Sequence, residues 1–216
     1  MPAGPPACKR GDVLARAPQY TDWRRTLLDT TYRLPRGYAP PDLAPADSAG
    51  LGPNVVVRAV VAKDLAKLGA AATAAGHPLG VVAAYRSFQD QTALLQQRVQ
   101  ELGPVLAAER VARPGHSEHQ LGTAVDFTSA GLIDVTAAWG KSETGRWMSR
   151  NAWRFGFVLS YPKGKRSVTC YPYEPWHFRY VGRKVAAAVH RSNLTLREYL
   201  WREAESASPS PSGSVP

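Results

Sequence analysis

The stretch Pro114-Gly115-His116-Ser117-Glu118-His119-Gln120-Leu121-Gly122-Thr123-Ala124-Val125-Asp126 gathers two histidines, two carboxylates and a serine beside one short apolar run. Its character changes in the middle. Gly122, Thr123 and Val125 weaken a helix, and Ala124, Val125 and Phe127 around Asp126 read as a buried strand over 122–128. A carboxylate in such a strand must be paired or bound to a metal, because burying it alone is very costly. A hydrogen-bonded Asp at a strand end is the duller alternative. His119 and Asp126 are seven residues apart, so a regular strand would place them on opposite faces. A bend at Gly122 would bring both to one centre.

A second segment, Tyr173-Glu174-Pro175-Trp176-His177-Phe178, is of the same kind; only His77 and His190 of the five histidines lie outside the two segments. A catalytic zinc takes three nitrogen or oxygen ligands and keeps a fourth position open for water. His119, Asp126 and His177 would supply that set. Glu174 precedes His177 by three residues, and Pro175 between them makes an edge or bulge there, so Glu174 can reach the open side without ligating. A fourth protein ligand would close the site to water, so His116 falls outside the set. The spacing is not that of the helical H-E-x-x-H motif; it permits a metal site without requiring one. Trp176 reads as packing beneath the ligand.

Outward from these segments, helices and strands are mixed. A helix over 54–75 is expected, capped by Asn54 and ended by Gly76, then a buried strand over 79–84. Ser87 caps a helix to about Leu102, with Asp90 in its first turn, and a short helix covers 105–111. Residues 113–116 read as a loop and 144–155 as a helix. Strands are expected at 157–161 and 176–180, with a loop at 162–172 between them. Helices follow at 184–190 and 196–204, the latter with Thr195 and Glu198 at capping-box spacing. No βαβ cadence is present, which indicates an α+β fold: a central antiparallel sheet flanked by helices.

Residues 1–53 hold half of the prolines, so this stretch reads as an extended arm with little regular structure. Its Trp23, Leu27, Leu28, Tyr32, Leu34 and Tyr38 can pack on a core formed by 54–204. Residues 205–216, rich in Ser and Pro, read as a disordered tail. Hydrophobic residues at 44% and charged residues at 20% are ordinary globular usage, and no apolar run suits a membrane span. Residues 1–10 lack a signal peptide's apolar region; the chain is cytoplasmic or an export segment has been removed. The net charge of +10 attracts polyanions. Its arginines are scattered rather than interleaved with aromatics, which argues against a nucleic-acid module. Cys8 and Cys170 are too few for a cysteine zinc site; they form one disulfide or remain two free thiols.

The order Ser117-x-His119-x6-Asp126, then Glu174-x-x-His177, resembles the D-alanyl-D-alanine carboxypeptidase family that includes the VanY enzymes. The likeness extends to Tyr85-Arg86-Ser87-x-x-x-Gln91, to Gly156-Phe157 with Tyr161-Pro162, and to Glu174 through Gly182. In the arm it includes Leu34-Pro35-x-x-Tyr38-x-Pro40-x-Asp42-Leu43, so it runs roughly from residue 27 to residue 203. The resemblance implies a small α+β fold shared with hedgehog N-terminal domains and lysostaphin-like endopeptidases. It implies one zinc ion held by His119, Asp126 and His177, with Glu174 as general base and Arg86, Ser117 and Gln91 as substrate-binding positions. The implied reaction removes the terminal D-alanine from peptidoglycan stem peptides. A wall endopeptidase or D,D-dipeptidase with the same metal site is an alternative. A non-catalytic zinc-stabilised binding module is another, against which Glu174 stands. Such a substrate implies action outside the cytoplasmic membrane, where a Cys8–Cys170 disulfide would form; a monomer is expected.

Overall fold

In a computed structural model of the chain, which describes residues 4–15, 23–46, 51–52 and 54–207, the proline-rich arm is not free of regular structure. Val13–Leu14 (β1) pairs in parallel with Tyr32–Arg33 (β2), and Leu43–Pro45 (β3) pairs antiparallel with Val56–Arg58 (β4). The second pairing corrects the expected start of the first helix. Val55-Val56-Val57 is a β-branched run, stiff at χ1 and suited to extended backbone, and Asn54 takes φ 61°. The helix α1 therefore spans Ala59–Ala74, with Arg58 rather than Asn54 at its N-cap.

The remaining elements follow the expected order with shifted ends: β5 (Leu79–Ala83), α2 (Phe88–Arg110), β6 (Ala124–Ser129), α3 (Glu143–Asn151), β7 (Phe157–Leu159), α4 (Arg166–Thr169), β8 (His177–Tyr180), α5 (Arg183–Ser192) and α6 (Leu196–Ala207). Ser87 and Asp90 form a capping box at the start of α2, and Gly103, at φ 77° before Pro104, breaks that helix into two pieces. The expected helix over 144–155 is α3 followed by a 3-10 turn, Ala152–Phe155. The expected loop 162–172 contains α4, whose Thr169 Oγ1 bonds back to the Lys165 carbonyl at 3.1 Å. Residues 205–207, expected in the tail, continue α6, since Glu205 and Ala207 favour helix and the first breaker is Pro209. Residues 208–216 lie outside the described residues, as do 16–22, 47–50 and 53 of the arm.

The central sheet runs β5-β6-β8-β7, antiparallel throughout. Side chains alternate along each strand, and this divides the sheet's two faces. Val125 and Phe127 of β6 join Phe178 and Tyr180 of β8 and Phe157 of β7 in the main core, under Val61, Leu65 and Leu68 of α1. Phe127 meets Phe157 and Phe178 edge-to-face, each with centroids 5.9 Å apart. The alternate residues Asp126, His177 and Arg179 point to the other face, and the register sets Asp126 directly opposite His177. Trp23 of the arm stacks on Tyr180 at 5.7 Å, while Leu27 packs with Val158 and Val181, and Leu28 and Leu34 with Leu121. No helix among the described residues is long and apolar enough to cross a membrane.

Candidate metal centre

His119 is delivered by a 3-10 turn, Glu118–Leu121, capped by Ser117, whose Oγ accepts from the His119 amide at 3.4 Å. Gly122 ends the turn at φ 69°, a left-handed conformation open to glycine. A Cβ there would also lie 2.9 Å from Arg58 Cγ. This is the bend that turns the chain from His119 into β6 and Asp126.

His119 Nε2 lies 3.2 Å from Asp126 Oδ2, and His177 Nδ1 lies 3.0 Å from Asp126 Oδ1. The three residues are buried, and one ligand atom from each lies within 4.8 Å of the others. The nitrogens turned away from this point are occupied. His119 Nδ1 is 2.6 Å from the Ala84 carbonyl, and His177 Nε2 is 3.0 Å from Glu118 Oε2. A neutral imidazole that donates through one nitrogen presents a lone pair on the other. Two imidazole lone pairs and one carboxylate therefore converge, a donor set that fits a catalytic zinc.

The electrostatics agree. Burial opposes ionisation of Asp126, yet His119 and His177 hold its carboxyl well below the usual range. Burial opposes the charge on His177 too, but Asp126 and Glu118 push it up to about 10 when no cation is bound. A proton then sits where a cation would. Burial lowers His119.

Glu174 lies in the turn before β8, its carbonyl accepting from the His177 amide at 3.1 Å. Its Oε2 is 3.9 Å from His177 Nδ1, beside the ligand group rather than within it. Burial, reinforced by Asp126 and Glu118, raises its carboxyl to about 8. Arg86 approaches Asp126 Oδ2 to 4.0 Å and donates to Gln91 Oε1 at 2.8 Å, while Gln91 donates to the Ala112 carbonyl at 2.6 Å. Gln91 is 1% exposed with both ends of its amide engaged, so it holds Arg86 from behind. All seven residues singled out in the sequence line one cleft of about 550 Å³. His116 is elsewhere, bonding Asp29 and Asp12 of the arm. Trp176 both lines the cleft and packs on the main core.

Three further residues, Glu118, Arg179 and Tyr161, to which sequence alone assigns no role, adjoin the group. Glu118 bonds His177, Ser160 and Arg179, and Arg179 leads it down to about 2 against the cost of burial. Tyr161 sets its ring 4.9 Å from that of His177.

Residues 54–183 match the sequence model of the family described as "VanY: D-alanyl-D-alanine carboxypeptidase". The chain belongs to the VanY family. It is 37% identical over 178 residues to a protein of Bacillus subtilis named as the carboxypeptidase YodJ, covering 80% of this chain and 65% of that protein. It is 36% identical over 132 residues to a D-alanyl-D-alanine carboxypeptidase of Enterococcus faecalis, covering 57% of this chain and 47% of that one. The chain thus spans about half to two thirds of these relatives' lengths. A solved VanY D,D-pentapeptidase in complex with Zn(II) superposes with TM-score 0.71 at 32% identity, covering 82% of this chain and 99% of that one. The LdcB LD-carboxypeptidase superposes with TM-score 0.71 at 36% identity, covering 81% and 84%. The VanY match includes every residue of the metal group, Glu174 and Arg86, but not the arm or α6.

Proposed function

We propose that this chain is a zinc-dependent carboxypeptidase that releases the terminal D-alanine of peptidoglycan stem peptides outside the cytoplasmic membrane. The observation that carries this reading is the convergence of His119 Nε2, His177 Nδ1 and the Asp126 carboxylate on one point, with Glu174 and Arg86 beside it. His119, Asp126 and His177 would hold one zinc ion. When bound, the ion supplies Lewis-acid chemistry, polarising a carbonyl and lowering the pKa of water. Glu174 accepts the proton of the attacking water and returns it to the leaving amine. Arg86, braced by Gln91, pairs with the free terminal carboxylate, which guanidinium can grip with two hydrogen bonds. Ser117 hydrogen-bonds the peptide backbone.

The cleft continues from the metal group to Leu94 and Leu102 of α2 and to Ile133, which suits an extended peptide better than a free dipeptide. The disulfide joining Cys8 to Cys170 suits an oxidising compartment, and the net charge of +10 suits an anionic wall. The likeness to an LD-carboxypeptidase favours a second reading, cleavage of an L,D bond in a shortened stem peptide. A free carboxylate is common to both substrates, so Arg86 does not separate them.

Digestion of stem pentapeptide and tetrapeptide, followed by mass spectrometry with and without chelator, separates these readings. The zinc-loaded protein should release one D-alanine from pentapeptide. Chelation should stop the reaction and added zinc restore it. Glu174→Gln should bind zinc yet lose roughly 10²–10⁴-fold in kcat. Intact pentapeptide beside a trimmed tetrapeptide would replace the D,D reading with the L,D one.

A further inference from the structure

A buried carboxylate with no part in the proposed reaction lies directly behind the metal group. Glu118 is 4% exposed. Its Oε2 accepts from Ser160 Oγ at 2.6 Å and from His177 Nε2 at 3.0 Å, and its Oε1 accepts from Arg179 Nη1 at 2.9 Å. Arg179 is fully buried, and its Nη2 donates to the carbonyls of Trp23 and Thr26 at 2.6 and 2.8 Å. A line of hydrogen bonds therefore runs from the main chain of the arm, through Arg179 and Glu118, to one ring nitrogen of His177.

We infer that Glu118 is a positioning residue for the metal centre, fixing the tautomer and ring plane of His177 from the side away from the cation. The inference rests on the metal reading above. A neutral imidazole carries one N–H and one lone pair. Arg179 can only donate, and it makes Glu118 a charged acceptor; the His177 proton is thereby drawn to Nε2 and the Nδ1 lone pair is left for the cation. Without Glu118 the opposite tautomer becomes available, with Nδ1–H donated to Asp126 Oδ1, which lies 3.0 Å away. That tautomer cannot ligate. A carboxylate behind a ligating histidine also raises its basicity.

His119 has a backbone carbonyl, that of Ala84, in the corresponding place. The charged partner is therefore confined to His177. The arm takes part too: Trp23 and Thr26 lie outside the matched residues 54–183, yet their carbonyls orient the arginine that orients Glu118.

The duller reading is that Glu118 and Arg179 are a structural ion pair. Two variants separate the readings. Glu118→Gln removes the charge at nearly constant shape. The double variant Glu118→Met/Arg179→Met removes both charges together, a replacement that buried ion pairs often tolerate. Zinc dissociation constants from competition with a chromophoric chelator, the visible spectrum of the cobalt(II)-substituted protein, and thermal unfolding of the metal-free forms are measured for each. Positioning predicts zinc affinity weakened by roughly 10–100-fold and a changed cobalt spectrum in variants that still unfold cooperatively. A folded variant with wild-type affinity and an unchanged spectrum overturns the inference and leaves an ion pair. If Glu118→Gln does not fold, the double variant decides. A wild-type protein without zinc affinity overturns the metal reading as well, so the two failures are distinguishable.

Discussion

Cys8 and Cys170, 162 positions apart in sequence, are joined in the structure with Cα atoms 5.3 Å apart. Replacing both by serine opens this loop. In the chain-entropy account, a cross-link closing a loop of that length removes about 5 kcal/mol of conformational freedom from the unfolded chain. The native state should change little, because the arm has other attachments. Arg197 donates to the Pro6 carbonyl at 3.0 Å, the Gly11 and Val13 amides donate to the Thr30 and Thr31 carbonyls at 3.0 Å each, and Arg113 also holds the Gly11 carbonyl. At about 2–4 °C per kcal/mol for a chain of this size, the double variant should melt about 10–20 °C below the wild type. Calorimetry at saturating zinc keeps the contribution of metal binding equal in both proteins. Counting thiols under denaturing conditions should find none in the wild type. A melting temperature within about 3 °C of wild type would refute the reasoning, since the loop entropy would then already be absent from the unfolded state.

Arg86→Ala should reduce kcat/KM for pentapeptide by roughly 30–1000-fold, as expected when one partner of a buried charge pair is removed. Amidating the peptide's terminal carboxyl should cost the wild type a similar factor and the variant little, a cycle that fails if the two losses multiply. The metal-free protein's stability should depend on pH through the buried titratable groups of the cleft. Glu118, held at about 2 against an ordinary 4.5, contributes stability above about 4.5 that is lost as pH falls toward 2. His177, raised to about 10 from an ordinary 6.5, contributes stability below about 6.5 that is lost as pH rises toward 10. Glu174, raised to about 8 from an ordinary 4.5, likewise contributes stability below about 4.5 that is lost as pH rises toward 8. Melting temperatures in chelator should therefore peak near pH 4.5 and fall on both sides. Zinc should shrink the alkaline limb, because the cation replaces the His177 proton and favours the ionised Glu174; an alkaline limb unchanged by zinc would contradict the assignment.

The sheet was legible because two-residue periodicity survives in short strands. Ala124 to Thr128 and His177 to Tyr180 each alternate between side chains for the core and side chains for the site. Helix ends with explicit caps were legible as well: Ser87 with Asp90, and Thr195 with Glu198. The start of α1 was not, since Asn54 is a strong cap by residue type while the following Val55-Val56-Val57 is better used as a strand. That use needs a partner, and the partner, Leu43–Pro45, lies in a proline-rich stretch that carries little local signal. Proline predicts lost donors and a fixed φ. It does not predict where an extended segment docks.

The candidate metal group was legible for a different reason: its residues belong to chemistry that buried side chains rarely show without a partner. His119, Asp126, His177, Glu174 and Arg86 stand out by residue type, and the register opposing Asp126 to His177 brings two of them together. Glu118 stands beside His119 in sequence, yet its role does not follow from that position. On a helix or strand its neighbours would have been predictable, but on a single 3-10 turn its direction is set by Ser160 beyond the end of β7 and by His177 and Arg179 on β8. All three partners are distant in sequence or defined only by tertiary structure. The same holds for Gln91, which lines the cleft and braces Arg86. Ligands are chosen by the metal's chemistry and so show in composition. The residues that aim them are chosen by geometry, and here that geometry passes through Arg179 to the carbonyls of Trp23 and Thr26 in the arm. Backbone carbonyls have no residue type, so no motif could have pointed to them.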